Sequence, residues 1–262
     1  MLCSAQKCRK DSPMADMMDI YKRYAVNYDE LVMAEDYQGN LSAFMLDEFN
    51  WDGKTVYEAG IGTGRVTSIF IDRVDMCYGF DREQHMLDRC RRNLSKFSDR
   101  LCLAPCDNTD LTIPPVKADT FIQGWSFGHV MVDNAAQFQK IFHIIHEKIN
   151  EILKPDGTII LIETMGTNVS EPGAPLPVLS DFYGLLENEY HFSRKVLDTS
   201  YRFNDVTEAA RIMGFFFGEQ MAENILKCAS SNNTANCNLS GNNHLSKVIP
   251  EFTGIWYKTL KS

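Results

Sequence analysis

The sequence predicts an α/β fold, a doubly wound and mostly parallel sheet of seven strands. Segments with strand character alternate with segments of helical periodicity along most of the 262 residues. Residues 158–163 form a near-continuous apolar run, which is typical of a parallel strand buried on both faces. A glycine-rich turn at residues 60–64 joins the first strand to a helix-compatible segment. Together these observations indicate parallel strands connected by crossover helices.

The predicted elements follow one another in a regular order. The first strand begins at Thr55, and the later strands are predicted over residues 76–80, 100–104, 120–123, 158–163, 196–203 and 247–260. An apolar stripe at helical spacing covers 14–28, and further helices are predicted over 41–49, 82–97, 135–153, 180–190 and 206–217. Two segments have loop composition: residues 165–178, rich in Gly and Pro, and residues 226–243, dominated by Asn, Ser and Cys.

Composition and charge exclude several classes of protein. The formal net charge is −9 and the sequence pI is about 5.2, which disfavours a partner with a phosphate backbone and predicts no nucleic-acid binding. No apolar run is long enough for a membrane span, and residues 1–13 lack the apolar centre of a secretory signal, so a cytoplasmic protein is expected. The eight cysteines include no Cys-x-x-Cys pair, which predicts free thiols and no metal site.

The glycine turn carries the strongest functional signal. Residues 58–64 read Glu-x-Gly-x-Gly-x-Gly, and glycines let the backbone turn sharply and let a ligand approach without meeting a Cβ atom. The helix start that follows supplies unpaired N–H groups and a partial positive charge. Asp81 ends the second strand 17 residues after Gly64, where a carboxylate can accept hydrogen bonds from both hydroxyls of a ribose. Asp81 is also a candidate N-cap of the next helix, and the two roles are compatible.

The spacing of the glycines separates two kinds of cofactor. The dinucleotide pattern Gly-x-Gly-x-x-Gly requires a small residue where Arg65 or Thr67 stands. The observed pattern instead resembles the first motif of the class I S-adenosylmethionine-dependent methyltransferases, and the resemblance covers roughly residues 20–165. The tail resembles the small-molecule branch of that family. The resemblance implies a Rossmann-like methyltransferase fold, S-adenosyl-L-methionine as cofactor and a small-molecule acceptor.

The resemblance also implies a set of cofactor-binding residues. Tyr28, in the pair Tyr28-Asp29, is expected over the methionine end of the cofactor, Met86 on the adenine ring, and Asp107 or Asn108 at the adenine amino group. For Tyr28, ordinary packing in the core is the alternative to a cofactor contact. For Met86, packing against the sheet and contact with the adenine ring are compatible. The full expected set is Tyr28, Glu58, Gly60, Gly62, Gly64, Asp81, Arg82, Met86, Asp107, Asn108, Gly124 and Trp125.

A candidate general base follows the fourth strand. His129 belongs to the loop expected after residues 120–123, and the ordinary pKa of histidine suits proton transfer near neutrality. A structural or exposed loop histidine is the favoured alternative. Glu163 and Thr164, at the end of the fifth strand, are expected to face the substrate. His143 and His146 lie three residues apart on a helix without an evident third ligand, so no metal is expected.

The predicted organisation is a disordered leader at residues 1–13 and a single domain over 14–262. Within the domain, 14–50 form a helical N-terminal cap, 51–165 the cofactor-binding core, and 166–262 the substrate-side helices and final strands. About forty residues separate the last two strands, and this late insertion is expected to form or cover the substrate pocket. Two functional alternatives stay open: an NAD-dependent oxidoreductase and a non-catalytic S-adenosylmethionine-binding protein. The oligomeric state is left open.

Overall fold

The computed structural model describes residues 25–230 and 248–260. Three predicted features fall partly or wholly outside these residues: the leader at 1–13, the helical stripe up to residue 24, and the loop segment beyond residue 230. The predicted start of the last strand, Lys247, also lies outside them.

Seven strands form the main sheet, in the order β3-β2-β1-β4-β5-β9-β6. They are β1 Thr55–Ala59, β2 Met76–Asp81, β3 Leu101–Pro105, β4 Ala118–Gly124, β5 Leu153–Thr167, β6 Ser193–Asp198 and β9 Glu251–Thr259. The strands β1 to β5 pair in parallel, and β9 runs antiparallel between β5 and β6. The predicted doubly wound, mostly parallel sheet of seven strands is therefore confirmed. The strand order reverses between β1 and β4, where sheets of this kind leave a ligand crevice at their carboxyl edge.

Nine α-helices lie in the described ranges. They are α1 Ala25–Ala34, α2 Asn40–Glu48, α3 Thr67–Phe70, α4 Gln84–Asn93, α5 Phe127–Asp133, α6 Phe138–Ile152, α7 Pro177–Asn188, α8 Val206–Phe217 and α9 Glu219–Ser230. Two short strands, β7 Tyr201–Arg202 and β8 Val248–Ile249, form a separate antiparallel pair. Within 25–230 and 248–260, none of the helices has the length and apolar character needed to cross a bilayer.

The alternation of side chains along the strands produces two buried faces. Val56, Ile122 and Ile160 point to the face that α2, α3 and α4 cover, whereas Tyr57 and Phe121 point to the face under α5, α6 and α7. A third apolar cluster joins α1, α8, α9 and the small sheet, with members Leu31, Tyr201, Met213, Ile225 and Ile249. This third layer supplies a wall of the candidate site described below.

The sixth strand differs from its prediction. A continuous strand over 196–203 was expected, but β6 ends at Asp198 and the chain turns before β7. The Asp198 carboxylate accepts hydrogen bonds from the backbone N–H and the hydroxyl of Ser200, at 2.9 and 2.5 Å. Aspartate bonded in this way to the residue two positions ahead favours a turn over a continued ladder. The turn sends the chain from the main sheet into the small one.

Other boundaries were also wrong. The strand β5 begins at Leu153 and continues to Thr167, so it includes the expected turn at 154–157 and the start of the expected loop. The helix α6 begins at Phe138 instead of residue 135, because residues 135–137 form a short 3₁₀ turn. The helix α9 had no counterpart in the prediction and reaches into the segment given loop character. Its buried residue, Ile225, packs in the third apolar cluster.

Candidate active site

The glycine turn lies at the carboxyl end of β1, at the point where the strand order reverses. Gly60, Gly62 and Gly64 have φ angles of +64°, +56° and +87°, which glycine adopts without the steric cost of a Cβ atom. A Cβ atom on Gly60 would lie 2.6 Å from the side chain of Ser126. At Gly62 the nearest atom would be Tyr28 Cε1, at 4.0 Å. The turn is thus packed at Gly60 and open at Gly62.

Asp81 connects the tip of β2 to this turn. Its Oδ2 accepts a hydrogen bond of 2.9 Å from the backbone N–H of Gly62, and its Oδ1 accepts one of 2.8 Å from the N–H of Glu83. Burial raises the pKa of Asp81, while the two N–H donors act in the opposite direction. The helix α4 has Glu83 at its N-cap position, so Asp81 is not the N-cap residue.

A cleft of about 130 Å³, here called the glycine cleft, opens above the turn. Eleven of the residues predicted for the site line it, from five different parts of the chain. They are Tyr28, Gly60, Gly62, Asp81, Arg82, Met86, Asp107, Asn108, Gly124, Trp125 and His129. The sheet therefore brings residues that are up to a hundred positions apart in the sequence to one edge.

Two residues of the predicted set, Glu58 and Gly64, do not line the cleft. Glu58 is 1% exposed within β1 and accepts a hydrogen bond from the hydroxyl of Thr67. Burial raises the pKa of Glu58 to about 8. A Cβ atom on Gly64 would lie 2.9 Å from Cys90 Sγ, so this glycine allows α4 to pack closely on the turn. Both residues therefore contribute to packing around the turn and do not line the cleft.

Sequence reasoning missed five lining residues: Glu83, Cys106, Ser126, Val130 and Asp133. The first three are direct neighbours of predicted residues at strand ends. The other two lie one and four positions after His129 on α5, which the prediction treated as a loop. The sequence contained one signal for that helix, the helical spacing of the apolar residues Phe127, Val130 and Met131.

The residues after β3 form the acidic end of the cleft. Asp107 Oδ1 accepts hydrogen bonds from the N–H and the hydroxyl of Thr109, at 2.8 and 2.7 Å. Partial burial acts to raise the pKa of Asp107, but the bonds from Thr109 and the charge of Arg82 hold it below its ordinary value. Arg82 Nη1 lies 3.8 Å from Asp107 Oδ2. Asp107 is thus ionised and oriented at neutral pH.

Trp125 has an unusual backbone conformation at the end of β4. Its φ angle is +51°, a region that bulky residues rarely adopt and that costs of order 1–3 kcal/mol. Its N–H donates to the carbonyl of Ile162 at 2.7 Å, and its ring lies 4.3 Å from the guanidinium of Arg65. These contacts therefore fix the position of the indole, which lines the glycine cleft.

A buried amide and carboxyl pair orients α5. Gln123 Oε1 accepts from the backbone N–H groups of Ser126 and Phe127, at 3.0 and 3.2 Å, and Gln123 Nε2 donates to Glu163 Oε1 at 3.0 Å. The same Glu163 oxygen accepts from the N–H of Gly128 at 2.8 Å. Burial raises the pKa of Glu163 to about 7.

A second space, here called the apolar cavity, adjoins the glycine cleft and has a volume of about 390 Å³. The two share Tyr28, Trp125 and His129 as common walls. Apolar side chains from α1, α5, α7, α8 and α9 form most of the lining, among them Leu31, Val132, Leu179, Phe216 and Met221. Glu163 and Thr164 line it from within β5, which continues to Thr167. The sequence had predicted these two residues at the end of the strand, facing a substrate.

His129 lies within α5, not in a loop, and borders both spaces. Burial lowers the pKa of His129, and the charge of Asp133 acts weakly in the opposite direction. The imidazole is therefore neutral at physiological pH and has a nitrogen lone pair to accept a proton. His143 and His146 are remote from both spaces, the first exposed and the second buried. No group of three potential metal ligands occurs among residues 25–230 and 248–260.

The sheet order, the glycine turn and the acidic residue at the tip of β2 define a nucleoside-cofactor domain of the α/β type. Residues 57–161 match the family model described as a methyltransferase domain. An uncharacterized methyltransferase of Geobacillus kaustophilus is 23% identical over 154 residues, which cover 57% of this chain and 67% of the relative. A similar protein of Geobacillus sp. strain WCH70 is 21% identical over 154 residues, 57% of this chain and 68% of its own.

Solved structures share the fold. A putative methyltransferase from Bacillus halodurans has a TM-score of 0.56 at 11% identity and covers 84% of this chain and 99% of its own. The YcgJ protein from Bacillus subtilis has a TM-score of 0.53 at 12% identity, and the match covers 84% of this chain and 98% of that protein. The chain is a class I S-adenosylmethionine-dependent methyltransferase, and S-adenosylmethionine is its cofactor. The predicted enzyme class is thereby confirmed, and the alternative of an NAD-dependent oxidoreductase is set aside.

Proposed function

We propose that this methyltransferase acts on a small molecule that binds in the apolar cavity, with the cofactor in the glycine cleft. The observation that supports this is the shared wall of Tyr28, Trp125 and His129 between the two spaces. A methyl group bound at that wall would face an acceptor directly. Proximity and orientation of this kind are the main contributions that a protein makes to group transfer.

The residues of the glycine cleft fit the cofactor. Gly62 leaves open space where a side chain would otherwise project, and the carboxylate of Asp81 is fixed beside it by two backbone N–H groups. In this proposal Asp81 accepts the ribose hydroxyls, the buried Met86 packs on the adenine ring, and Asp107 or Asn108 accepts from the adenine amino group. Tyr28 and Trp125 enclose the methionine end.

The shape and charge of the second space favour a small acceptor. The apolar cavity is bounded by side chains of α1, α5, α7, α8 and α9 and by residues of β5 and β9, with mainly apolar walls. A nucleic acid would need a basic approach surface, whereas the whole chain carries a net charge of −9. When bound, S-adenosylmethionine supplies an electrophilic methyl group on a sulfonium, so the acceptor atom needs a free lone pair.

Two titratable side chains are able to take a proton from the acceptor. His129 is neutral because burial lowers its pKa, and Glu163 has a pKa of about 7 because of its burial. Both line the apolar cavity. We assign His129 the role of proton acceptor, since it borders the glycine cleft as well. Glu163 is assigned the role of positioning α5, the helix that carries His129, through its hydrogen bond from Gly128.

Two measurements test this function. Isothermal titration with S-adenosylmethionine and with NAD should give binding of the first alone. Incubation with fractionated metabolite pools should then release S-adenosylhomocysteine from fractions of low molecular mass. Release from nucleic acid or protein fractions only would contradict the small-molecule assignment.

A cavity-filling variant separates the two spaces. Val132→Phe places an aromatic ring on the wall of the apolar cavity formed by α5. Ile144→Phe places the same ring at an exposed position of α6 and serves as the control. The first variant should bind S-adenosylmethionine normally and lose transfer, whereas the second should keep both. Equal activity of the two variants would place the acceptor elsewhere.

A further inference from the structure

The polar end of the apolar cavity contains a buried cluster of charged residues. Glu35, directly after α1, accepts a hydrogen bond of 2.7 Å at Oε2 from Nη1 of Arg65, which follows the glycine turn. Glu251, at the start of β9, accepts one of 2.9 Å at Oε1 from the hydroxyl of Thr164. All three charged residues line the cavity. Three distant segments of the chain thus converge at one end of the space.

Each of these side chains has one buried polar atom without a hydrogen bond in the described part of the chain. The atoms are Glu35 Oε1, Glu251 Oε2 and Arg65 Nη2. The Glu35 side chain is 6% exposed and Glu251 is 3% exposed. Buried carboxylate oxygens are nearly always satisfied, because an unsatisfied one costs the full desolvation penalty. Two open acceptors in one cavity therefore indicate a ligand that donates hydrogen bonds to them.

The charge balance selects the type of donor. Glu35, Glu163 and Glu251 line the cavity, and Arg65, already paired with Glu35, is the positive side chain that lines it in the described residues. Burial raises the pKa of Glu251, and the neighbouring charge of Glu35 raises it further, while hydrogen bonds from Thr167 and Thr164 and the charge of Arg65 act in the opposite direction. A ligand ammonium would satisfy both open oxygens and would favour the charged form of Glu251, whereas a carboxylate would face like charges.

From these contacts we infer that the acceptor is a small amphipathic amine, whose ammonium group lies between Glu35 and Glu251. Its apolar body would lie against apolar side chains of the lining such as Leu179, Phe216 and Met221. This inference rests on the proposed function, because it gives the chemical class of the acceptor for the same cavity.

A matched series of probes tests the inference without any mutation. Phenethylamine, 2-phenylethanol and phenylacetate share an aromatic body and differ in the charge of one end. Titrated calorimetrically into the S-adenosylhomocysteine complex, the amine should bind at least about tenfold more tightly than the alcohol or the acid. Equal affinities, preference for the acid, or no binding by any of the three would overturn the inference.

A pair of variants locates the amine. Glu251→Gln keeps an oxygen for Thr164 and removes the charge, so it should reduce phenethylamine affinity about tenfold and change 2-phenylethanol affinity less than about twofold. Glu151→Gln, at an exposed position of α6, should change neither. An unchanged amine preference in a folded Glu251→Gln protein would refute the placement.

The outcome is separable from that of the proposed function. S-adenosylmethionine binding and S-adenosylhomocysteine release are measured on the same preparation. Release with neutral or anionic metabolites alone would preserve the small-molecule function and refute the amine. An amine preference together with transfer only to macromolecules would support the charged subsite and refute the function.

Discussion

The carboxylate of Asp81 accepts a hydrogen bond of 2.9 Å from the backbone N–H of Gly62, so the tip of β2 is tied to the turn after β1. The two strands are parallel neighbours, and their register brings Ala59 opposite Phe80. Loss of the Asp81 carboxylate would therefore remove a constraint on the turn and, under the proposed function, a contact to the cofactor.

Asp81→Ala should weaken S-adenosylmethionine binding by about 1.5–3 kcal/mol, the usual value of a hydrogen bond to a charged group. Calorimetric titration measures the change directly. Asp99→Ala removes an exposed acid near α4 and serves as the control. If Asp81→Ala binds the cofactor as tightly as the control does, Asp81 has no part in the site.

Alanine substitution of two glycines in the turn should cause two different defects: mainly a loss of stability at Gly60, and a loss of cofactor binding at Gly62. Gly60→Ala forces a Cβ atom to 2.6 Å from Ser126 at a φ angle of +64°, so it should lower the free energy of unfolding by about 2 kcal/mol or more. Gly62→Ala meets no close atom and should cost about 1–2 kcal/mol from its φ angle alone, but it should obstruct the cofactor.

Denaturant unfolding and calorimetric titration together distinguish the two glycines. The expected pattern is a larger stability loss for Gly60→Ala, and a cofactor affinity in Gly62→Ala that falls although the protein stays folded. Full cofactor affinity in Gly62→Ala would show that no ligand approaches this position.

Buried Glu58 predicts a pH dependence of stability. Its pKa is about 8 in the folded protein, because of burial, against an ordinary value of 4.5. Between these values the folded state holds a proton that the unfolded state releases, so the free energy of unfolding falls as the pH rises from about 5 to about 8. Glu58→Gln should flatten this slope. Over this pH range, the variant should lose less free energy of unfolding than the wild type, by on the order of 3 kcal/mol.

Unfolding by urea at several pH values measures the slope. Glu163 contributes in the same direction with its pKa of about 7, so a reduced slope is expected in Glu58→Gln rather than none. Glu151→Gln, which changes an exposed acid, should leave the wild-type slope intact. Identical slopes in all three proteins would contradict a neutral, buried Glu58.

Replacement of His129 tests its assignment as a proton acceptor. His129→Asn should reduce turnover by about 10²-fold or more and change S-adenosylmethionine affinity little. Because burial lowers the pKa of His129, the wild-type rate should decline with falling pH only below the ordinary pKa of histidine, 6.5. The measurement is S-adenosylhomocysteine release with the identified acceptor, and full activity in the variant would leave His129 without a catalytic role.

The residues that line the glycine cleft were easier to predict than those that line the apolar cavity, for a physical reason. Gly60, Gly62 and Asp81 lie in one local unit of strand, turn and strand, in which spacing alone sets the geometry. Trp125 and His129 also line the glycine cleft, since they follow a strand that ends at the same edge of the sheet.

The charged end of the apolar cavity was not predictable in this way. Glu35, Arg65 and Glu251 are far apart in the sequence and belong to no common motif. Their contact depends on the position of α1 and on the insertion of β9 between β5 and β6. The break between β6 and β7 was missed for a different, local reason: the hydrogen bonds from Ser200 to Asp198 end a strand whose residues otherwise favour extension.

The placement of β9 also affects how the chain acquires its structure during translation. In the described part of the chain β6 pairs with β9 alone, and 52 residues separate the end of β6 from the start of its partner. The five parallel strands can therefore assemble while the ribosome is still adding residues, whereas β6 must wait with an unsatisfied edge until residue 251 and those after it emerge. A nascent chain halted before that point would expose the flank of β5, which makes this interval the one in which aggregation or chaperone capture is expected.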